Sequence, residues 1–365
     1  MRMHAAVLSG FGSPLEVREV DLAPPGPGEV RVRIRASGIC GSDAKVAAGL
    51  NPLYPEPGVV LGHESVGVVA EVGQGVDSVA VGDAVVIAMN RWCGRCRECA
   101  RGRAYLCTGA ARQNAIRGLL ADGTSRLSLD GAPLLPFVGI GSFAEYTVVG
   151  ESMLVRLGDV PIRPELALVA CGVVTGVGAV RNVAGVAPGD TVLVVGCGGV
   201  GLAAVAGAAL AGASRIVAAD TVASKLDLAV AMGATDVVRA GDDLAERVAD
   251  VVPGGVDHAF DVTGAPGVLA RTMAATRPGG TTVLVGSPAA AVEIPPVLFF
   301  GGRTVRGCVG GNAVPADDLP RLVDLVATGR LDLSPLVSET VGLAEVDAAL
   351  ARQKAGEVAR SVIVF

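Results

Sequence analysis

Aromatic residues make up only 3% of this 365-residue chain: one tryptophan, three tyrosines and seven phenylalanines. With so few rings, the core must be filled by small and branched aliphatics, and 51% of the residues are hydrophobic. Charge is sparse as well, at 18%, with a net of −6 and no run of lysine or arginine. A basic face for nucleic acid is thereby excluded, and the apolar content excludes a disordered chain. Histidine is scarce: His4, His63 and His258 are the whole supply for metal binding or proton transfer. The opening Met1-Arg2-Met3-His4 runs straight into Ala5-Ala6-Val7-Leu8 without a signal-peptide pattern, so a cytoplasmic protein is expected.

Glycine, by contrast, is abundant, with 51 residues or twice the usual share of about 7%. Tight turns and close backbone approaches should be common. No charge occurs between Asp190 and Arg215, a stretch long enough to suggest a membrane span. The glycines at 196, 198, 199 and 201 interrupt it, after a β-branched run and before an alanine-rich one. It reads as strand, turn and helix, and no membrane partner is expected.

The length suggests two domains. The first 150 or so residues form short apolar runs between Gly/Pro turns, such as 30–34, 66–70 and 84–87. They predict a β-rich, barrel-like domain. Residues 110–142 are polar and glycine-rich and read as a long excursion. From about residue 173, strands at 191–195, 215–219, 236–238, 256–262, 281–285 and 304–309 alternate with helical segments such as 222–232 and 266–276. This is the pattern of βαβ units in a parallel sheet, an α/β doubly wound domain. Helices at 317–328 and 343–353 and a closing strand from Ser361 to Phe365 follow, the strand with no obvious partner nearby.

Strand 191–195 leads into Gly196-Cys197-Gly198-Gly199-Val200-Gly201 and an Ala/Leu helix. Gly196 allows a tight turn, Gly198 lets the backbone approach a pyrophosphate, and Gly201 permits close helix–strand packing. The helix N-terminus presents free N–H groups to phosphate. Asp220 ends the next strand, at the distance past Gly201 where such a fold places its ribose-binding acid. A carboxylate there binds ribose hydroxyls and repels a 2′-phosphate, so NAD is expected over NADP.

Eight cysteines in a cytosolic chain do not suggest a disulfide framework. Cys93, Cys96, Cys99 and Cys107 fall within one short segment, the pattern of a closed four-thiolate zinc site. A disulfide pair or an iron–sulfur cluster would use the same residues. Flanking Gly94 suits a tight turn, and Arg95 and Arg97 are expected to offset the thiolate charge. Cys40, His63 and Cys171 lie far apart. Taken singly, each reads equally as a small core cysteine or a hydrogen-bonded structural histidine. Together, two cysteines and a histidine are the ligand set of catalytic zinc in alcohol dehydrogenases.

Gly38-Ile39-Cys40-Gly41-Ser42-Asp43, Gly62-His63-Glu64, the four-cysteine segment, Cys171, the glycine loop and Val358-Ala359-Arg360-Ser361 occur in the order found in zinc-containing alcohol dehydrogenases. Over essentially its whole length the chain resembles these members of the medium-chain dehydrogenase/reductase superfamily. The resemblance implies a GroES-like catalytic domain, residues 1–172 completed by 310–365, and a Rossmann NAD-binding domain, residues 173–309. It implies two zinc ions per chain: a catalytic one on Cys40, His63 and Cys171, with Glu64 near the metal, and a structural one on the four clustered cysteines. Asp43 would orient His63. Lys225 would approach the adenosine ribose and Arg360 the pyrophosphate, while Thr175 and Val200 would line the cofactor. By position, Met89, Phe137, Val138 and Ser287 would line the substrate pocket, although ordinary packing accounts for them equally well.

The implied chemistry is hydride transfer between NAD and an alcohol/carbonyl pair, with zinc as Lewis acid and Ser42 passing the substrate proton on. Two residues depart from the family pattern. Where many relatives finish the proton relay with a histidine, this chain has Ala44-Lys45, so the relay ends at Lys45 or at solvent, or is not needed. Gly41 replaces a basic residue that contacts the pyrophosphate in some relatives, which implies weaker cofactor binding or another anchor. The missing histidine also keeps open a biosynthetic reductase of an activated C=C or C=N bond, and a thiol-adduct formaldehyde dehydrogenase is a further reading. A non-catalytic zinc and nucleotide sensor fits less well, because three zinc ligands with a serine beside the open position exceed what sensing needs. A small-molecule substrate and a homodimer are expected, with a tetramer as the alternative; segment 303–309 is the candidate for pairing between subunits.

Overall fold

In the computed structural model, which describes residues 1–288 and 291–365, the short alternating runs of the N-terminal part become antiparallel strands. Strands Arg2–Leu8, Glu16–Leu22, Leu127–Leu129, Ala132–Pro136 and Val59–Val60 close into a barrel. A second sheet runs in the order Leu154–Arg156, Ala84–Ile87, Glu64–Val72, Glu29–Gly38, Ser361–Val364 and Glu339–Val341, with Tyr146–Gly150 also paired to Glu29–Gly38. Alternation fixes which side is buried. In Glu29–Gly38, Val30, Val32 and Ile34 face a core with Val69, Val85, Ile87 and Met153, while Arg33 and Arg35, on either side of Ile34, are exposed. These elements make one unit, Met1–Cys171 with Val314–Phe365; Gly172–Ala313 make the other.

Two features of the first unit were not readable from local pattern. Stretch 110–142 is not a free excursion: it forms helix Ala110–Ala115 and two strands of the barrel. Its apolar residues are too sparse to show a period, yet Leu120, Leu127 and Leu134 are all buried in the barrel core. Arg126 ties it down. Its Nε and Nη2 each donate to the buried Glu29 carboxylate at 2.9 Å, and Nη2 also reaches Asp122 at 2.8 Å. The closing strand, Ser361–Val364, returns to the opposite end of the chain and pairs antiparallel with Glu29–Gly38, with Val362 opposite Gly38.

The second unit carries a six-stranded, all-parallel sheet in the order Asp236–Arg239, Arg215–Asp220, Thr191–Val195, Val256–Asp261, Thr276–Leu284 and Thr304–Gly307. In chain order this is 3-2-1-4-5-6, the Rossmann arrangement, whose cofactor crevice lies where the strand order reverses. Leu193 and Val195 pack on one face with Leu244 and Val248, and helix Gly199–Leu210 covers the face of Val194. Strand five begins at Thr276, earlier than the expected 281, with a register shift opposite Val256 and His258. Residues 310–313 belong to this unit, because Gly311 (φ 69°) packs its backbone against Val174 and Gly178, where a Cβ would meet the Val174 carbonyl oxygen. The uncharged stretch 190–215 is a strand, a glycine turn and a 12-residue helix. No single helix among the described residues is long and apolar enough to cross a membrane.

Removing one partner of a buried ion pair leaves the other charge uncompensated. Arg126→Ala is therefore expected to destabilise the first unit by about 3 kcal/mol, read from urea unfolding. Arg126→Lys should recover only part, since an ammonium cannot form the two-pronged contact. A midpoint unchanged in Arg126→Ala would mean that the pair does not hold the barrel segment in place.

Candidate active site

Three separate parts of the first unit deliver Cys40, His63, Glu64 and Cys171 to one point, where their ligand atoms all lie within 4.8 Å of one another. Cys40 caps the N-terminus of helix Gly41–Ala47, His63 and Glu64 stand at the start of strand Glu64–Val72, and Cys171 follows the 3-10 turn Pro164–Ala170. Gly38 makes the convergence sterically feasible. It pairs with both Glu64 and Val362, and a Cβ there would meet Glu64 Oε2 at 2.5 Å and Leu168 Cδ2 at 2.6 Å. Asp43 joins two of the loops, accepting the Cys40 N–H at 2.8 Å on one oxygen and the Gly62 N–H at 3.0 Å on the other.

The charges are buried with little compensation. Cys40, Asp43, His63, Glu64, Cys171 and Arg360 are all less than 9% exposed. Ser42 Oγ lies 3.3 Å from His63 Nε2, and His63 Nδ1 is 3.4 Å from Asp43 Oδ1 but outside hydrogen-bond geometry. Arg360 donates to the Ile39 carbonyl at 2.8 Å, and its Nη2 is 3.3 Å from Glu64 Oε1. Neither Glu64 oxygen has a hydrogen bond. A hydrogen bond from Cys171 holds the Cys40 thiol well below its ordinary range despite burial, with help from Arg360 and His63. The same bond and burial push Cys171 up. Burial raises Glu64 to about 8, with Arg360 opposing it. Two buried sulfurs, a buried imidazole and orphaned carboxylate oxygens form a donor set that suits a divalent, thiolate-tolerant cation such as zinc.

Cys93, Cys96, Cys99 and Cys107 also converge, with sulfurs within 4.8 Å of one another. Backbone N–H groups point at the sulfurs: Cys96 to Cys93, and both Cys93 and Gly109 to Cys107, each at 3.3 Å. Backbone donors from Cys99 and Thr108 bring Cys96 down to about 5. The turn thus favours anionic sulfur at Cys93 and Cys96, whereas burial pushes Cys99 up to about 12. Arg95 and Arg97 are exposed, and the Arg112 guanidinium, anchored on Asn90 and the Tyr105 carbonyl, also feels the charges of Cys107 and Cys99.

In the second unit, Gly196 (φ 96°) makes the tight turn after strand Thr191–Val195. A Cβ on Gly201 would fall 1.8 Å from the Gly196 carbonyl oxygen, so that position accepts no side chain. At Gly198, which caps helix Gly199–Leu210, a Cβ would meet nothing within 4 Å. The open space before a free helix N-terminus fits a pyrophosphate. Asp220 is nearly buried, its oxygens accepting the Cys197 N–H at 2.7 Å and the Val222 N–H at 2.9 Å. The carboxylate is thus fixed at the strand end, with lone pairs left for ribose hydroxyls. Lys225 lies in helix Ala223–Ala231, and Thr175 in helix Gly172–Gly178.

Of the expected pocket residues, Phe137 reaches the cluster, its ring edge-on to His63 at 5.1 Å. Val138 follows it in the same turn; Met89, past strand Ala84–Ile87, is half-buried; and Ser287 is exposed in the second unit. Lys45 is half-buried, three residues after Ser42 on helix Gly41–Ala47. Gly41 is exposed, with open space where a side chain would stand. Sequence reasoning missed Tyr54, buried against Phe137 at 5.2 Å. The only available signal was its rarity, as one of three tyrosines.

A model of the alcohol dehydrogenase GroES-like domain matches residues 26–159, and one of the zinc-binding dehydrogenases matches residues 199–328. The chain is 39% identical to an S-(hydroxymethyl)glutathione dehydrogenase of Escherichia coli over 371 residues, covering 100% of both proteins. The structure of benzyl alcohol dehydrogenase from Acinetobacter calcoaceticus superimposes with a TM-score of 0.92 at 31% identity, covering 100% of this chain and 99% of that one. A zinc-binding dehydrogenase from Sinorhizobium meliloti, solved bound to NADP, superimposes with a TM-score of 0.81 at 29% identity, covering 100% of each chain. With a GroES-like fold around a buried Cys/His cluster and a Rossmann sheet for a nicotinamide cofactor, this chain belongs to the zinc-dependent alcohol dehydrogenases of the medium-chain dehydrogenase/reductase superfamily.

Proposed function

We propose that the enzyme is an NAD-dependent dehydrogenase with two zinc ions per chain, oxidising a medium-sized alcohol or reducing the matching carbonyl compound. The convergence of Cys40, His63, Glu64 and Cys171, with Ser42 beside His63, carries this reading. Cys40, His63 and Cys171 would hold the catalytic zinc, and Cys93, Cys96, Cys99 and Cys107 the structural one. When bound, zinc would supply Lewis acidity at the alcohol oxygen and the nicotinamide its capacity to carry a hydride.

The chain's own residues do the rest. Ser42 Oγ takes the alcohol proton, and Lys45, on the same helical face, or solvent receives it. Arg360 balances the charge of Glu64 and the thiolates. Lys225 and Asp220 bind the adenosine ribose, the glycine loop cradles the pyrophosphate, and Thr175 and Val200 flank the cofactor. Met89, Phe137 and Val138 supply the substrate-facing side chains of the first unit, whose apolar character suits an aryl or alkyl alcohol. Eight free cysteines suit a reducing compartment, and we assign the enzyme to the cytoplasm.

The subunit contact we propose is the edge strand Thr304–Gly307, largely exposed, with Val297, Phe299 and Phe300 beside it at 63%, 45% and 85% exposure. An unpaired edge next to bare aromatics suits pairing with a second copy about a twofold axis.

Metal analysis is expected to find two zinc ions per chain, falling to one in Cys40→Ser and in Cys96→Ser, with oxidation of benzyl-type and aliphatic alcohols abolished only in the first. One zinc in both the native protein and Cys40→Ser, with no turnover, would remove the catalytic assignment. Adding S-(hydroxymethyl)glutathione to the panel separates a thiol-adduct substrate from a simple alcohol.

The native enzyme should favour NAD over NADP by about a hundredfold in kcat/KM, and Asp220→Asn should narrow that ratio about tenfold. Equal use of both cofactors would exclude Asp220 as the selector. Light scattering should find a dimer, with Phe300→Asp shifting it towards monomer; a monomeric native protein would rule out the edge-strand contact.

A further inference from the structure

Val138 has φ 48° and ψ 31°, a left-handed conformation that a β-branched side chain rarely adopts. Gly139 follows at φ 72°, so two successive residues turn the chain the unusual way, and only the second is a glycine. Backbone that strained persists only where its surroundings over-determine it. On one side, the N–H groups of Ile140 and Gly141 both return to the Phe137 carbonyl, at 2.9 and 3.3 Å. On the other, the Val138 N–H donates to Tyr54 Oη at 2.7 Å, from a distant part of the chain.

Tyr54 is 1% exposed, and burial pushes its phenol well above the ordinary value, so the hydroxyl stays neutral. Its ring meets Phe137 at 5.2 Å and 68°, and Phe137 meets the His63 imidazole at 5.1 Å and 90°. One side chain therefore acts twice on the same site, by hydrogen bond on the backbone of Val138 and by ring contact, through Phe137, on His63. Leucine in its place would fill the volume but provide neither the acceptor nor the edge-on contact.

We propose that Tyr54 is the positioning residue of the substrate pocket: its hydroxyl holds Val138 in the left-handed turn, and that turn, whose carbonyl anchor is Phe137, fixes the Phe137 ring and through it the tilt of the His63 imidazole. It rests on the reading of Phe137 and Val138 as pocket residues and adds to it a specificity determinant that itself touches no substrate. Without the hydroxyl, the Val138 N–H loses its acceptor and the turn can relax towards right-handed backbone. The Val138 side chain then moves, and the limit on alcohol size moves with it.

The test uses zinc-loaded enzyme labelled with 15N-histidine, where three imidazoles give separable signals. In Tyr54→Phe, the His63 resonances should move while those of His4 and His258 stay, and the kcat/KM ratio of a bulky to a small alcohol should change about tenfold, mainly through KM. Asparagine tolerates left-handed backbone. On a Val138→Asn background, Tyr54→Phe should therefore leave His63 where Val138→Asn alone puts it. A lower Tm with unmoved His63 resonances and an unchanged ratio would overturn the proposal and leave Tyr54 as core filling. A native enzyme that oxidises no alcohol would remove the pocket reading, whereas the His63 resonances, which need no turnover, still decide whether Tyr54 positions that ring.

Discussion

Burying six ionisable side chains in one place is the constraint around which the first unit is arranged. Cys40, Asp43, His63, Glu64, Cys171 and Arg360 are all withdrawn from water, and a charge so placed is tolerable only when paired or bound to a metal. Each device for pairing is a piece of topology. Asp43 uses both oxygens to join the loops of Cys40 and His63. Arg360 is available because the closing strand pairs beside Gly38, and Glu64 because its own strand pairs on Gly38's other side. Gly38 lies between the two, at the one position where a Cβ would collide with the Glu64 carboxylate. Arg360 is the one permanent cation among these six side chains, and a divalent ion held there would let both sulfurs ionise together.

The second sulfur cluster solves a different problem by different means. Its four cysteines are close in sequence, three of them only partly buried, and main-chain N–H groups of the same turn point at the sulfurs. Such a segment needs little from the rest of the fold beyond Arg112. Four sulfurs leave no room for substrate, whereas the buried set keeps a serine hydroxyl against its histidine. The same element in two settings would serve structure in one and reaction in the other.

In the nucleotide-binding unit the constraint is backbone proximity. Helix Gly199–Leu210 approaches the preceding turn so closely that Gly201 has no space for a methyl group, which brings free N–H groups to the mouth of the sheet. Asp220 braces the loop through Cys197 while keeping its carboxylate at the end of the neighbouring strand. One residue thereby links the glycine loop to the neighbouring strand.

The sequence by itself determined whatever is encoded within a few residues. The βαβ alternation, the glycine loop with Asp220 beyond it and the four-cysteine turn were all legible, since hydrophobic period, glycine placement and short ligand spacing are local properties. The cluster of Cys40, His63 and Cys171 was legible only through resemblance, because its members are scattered over a third of the chain. Only the tertiary structure decided the rest: that stretch 110–142 closes a barrel through Arg126 and Glu29, that the last strand returns to Gly38, that Arg112 comes near the thiolates, and that Tyr54 reaches across to Val138. Each of these joins residues well separated in the chain by one ion pair, strand register or hydrogen bond. Such contacts leave no periodic trace in sequence, because the geometry that brings them together exists only once the core has formed.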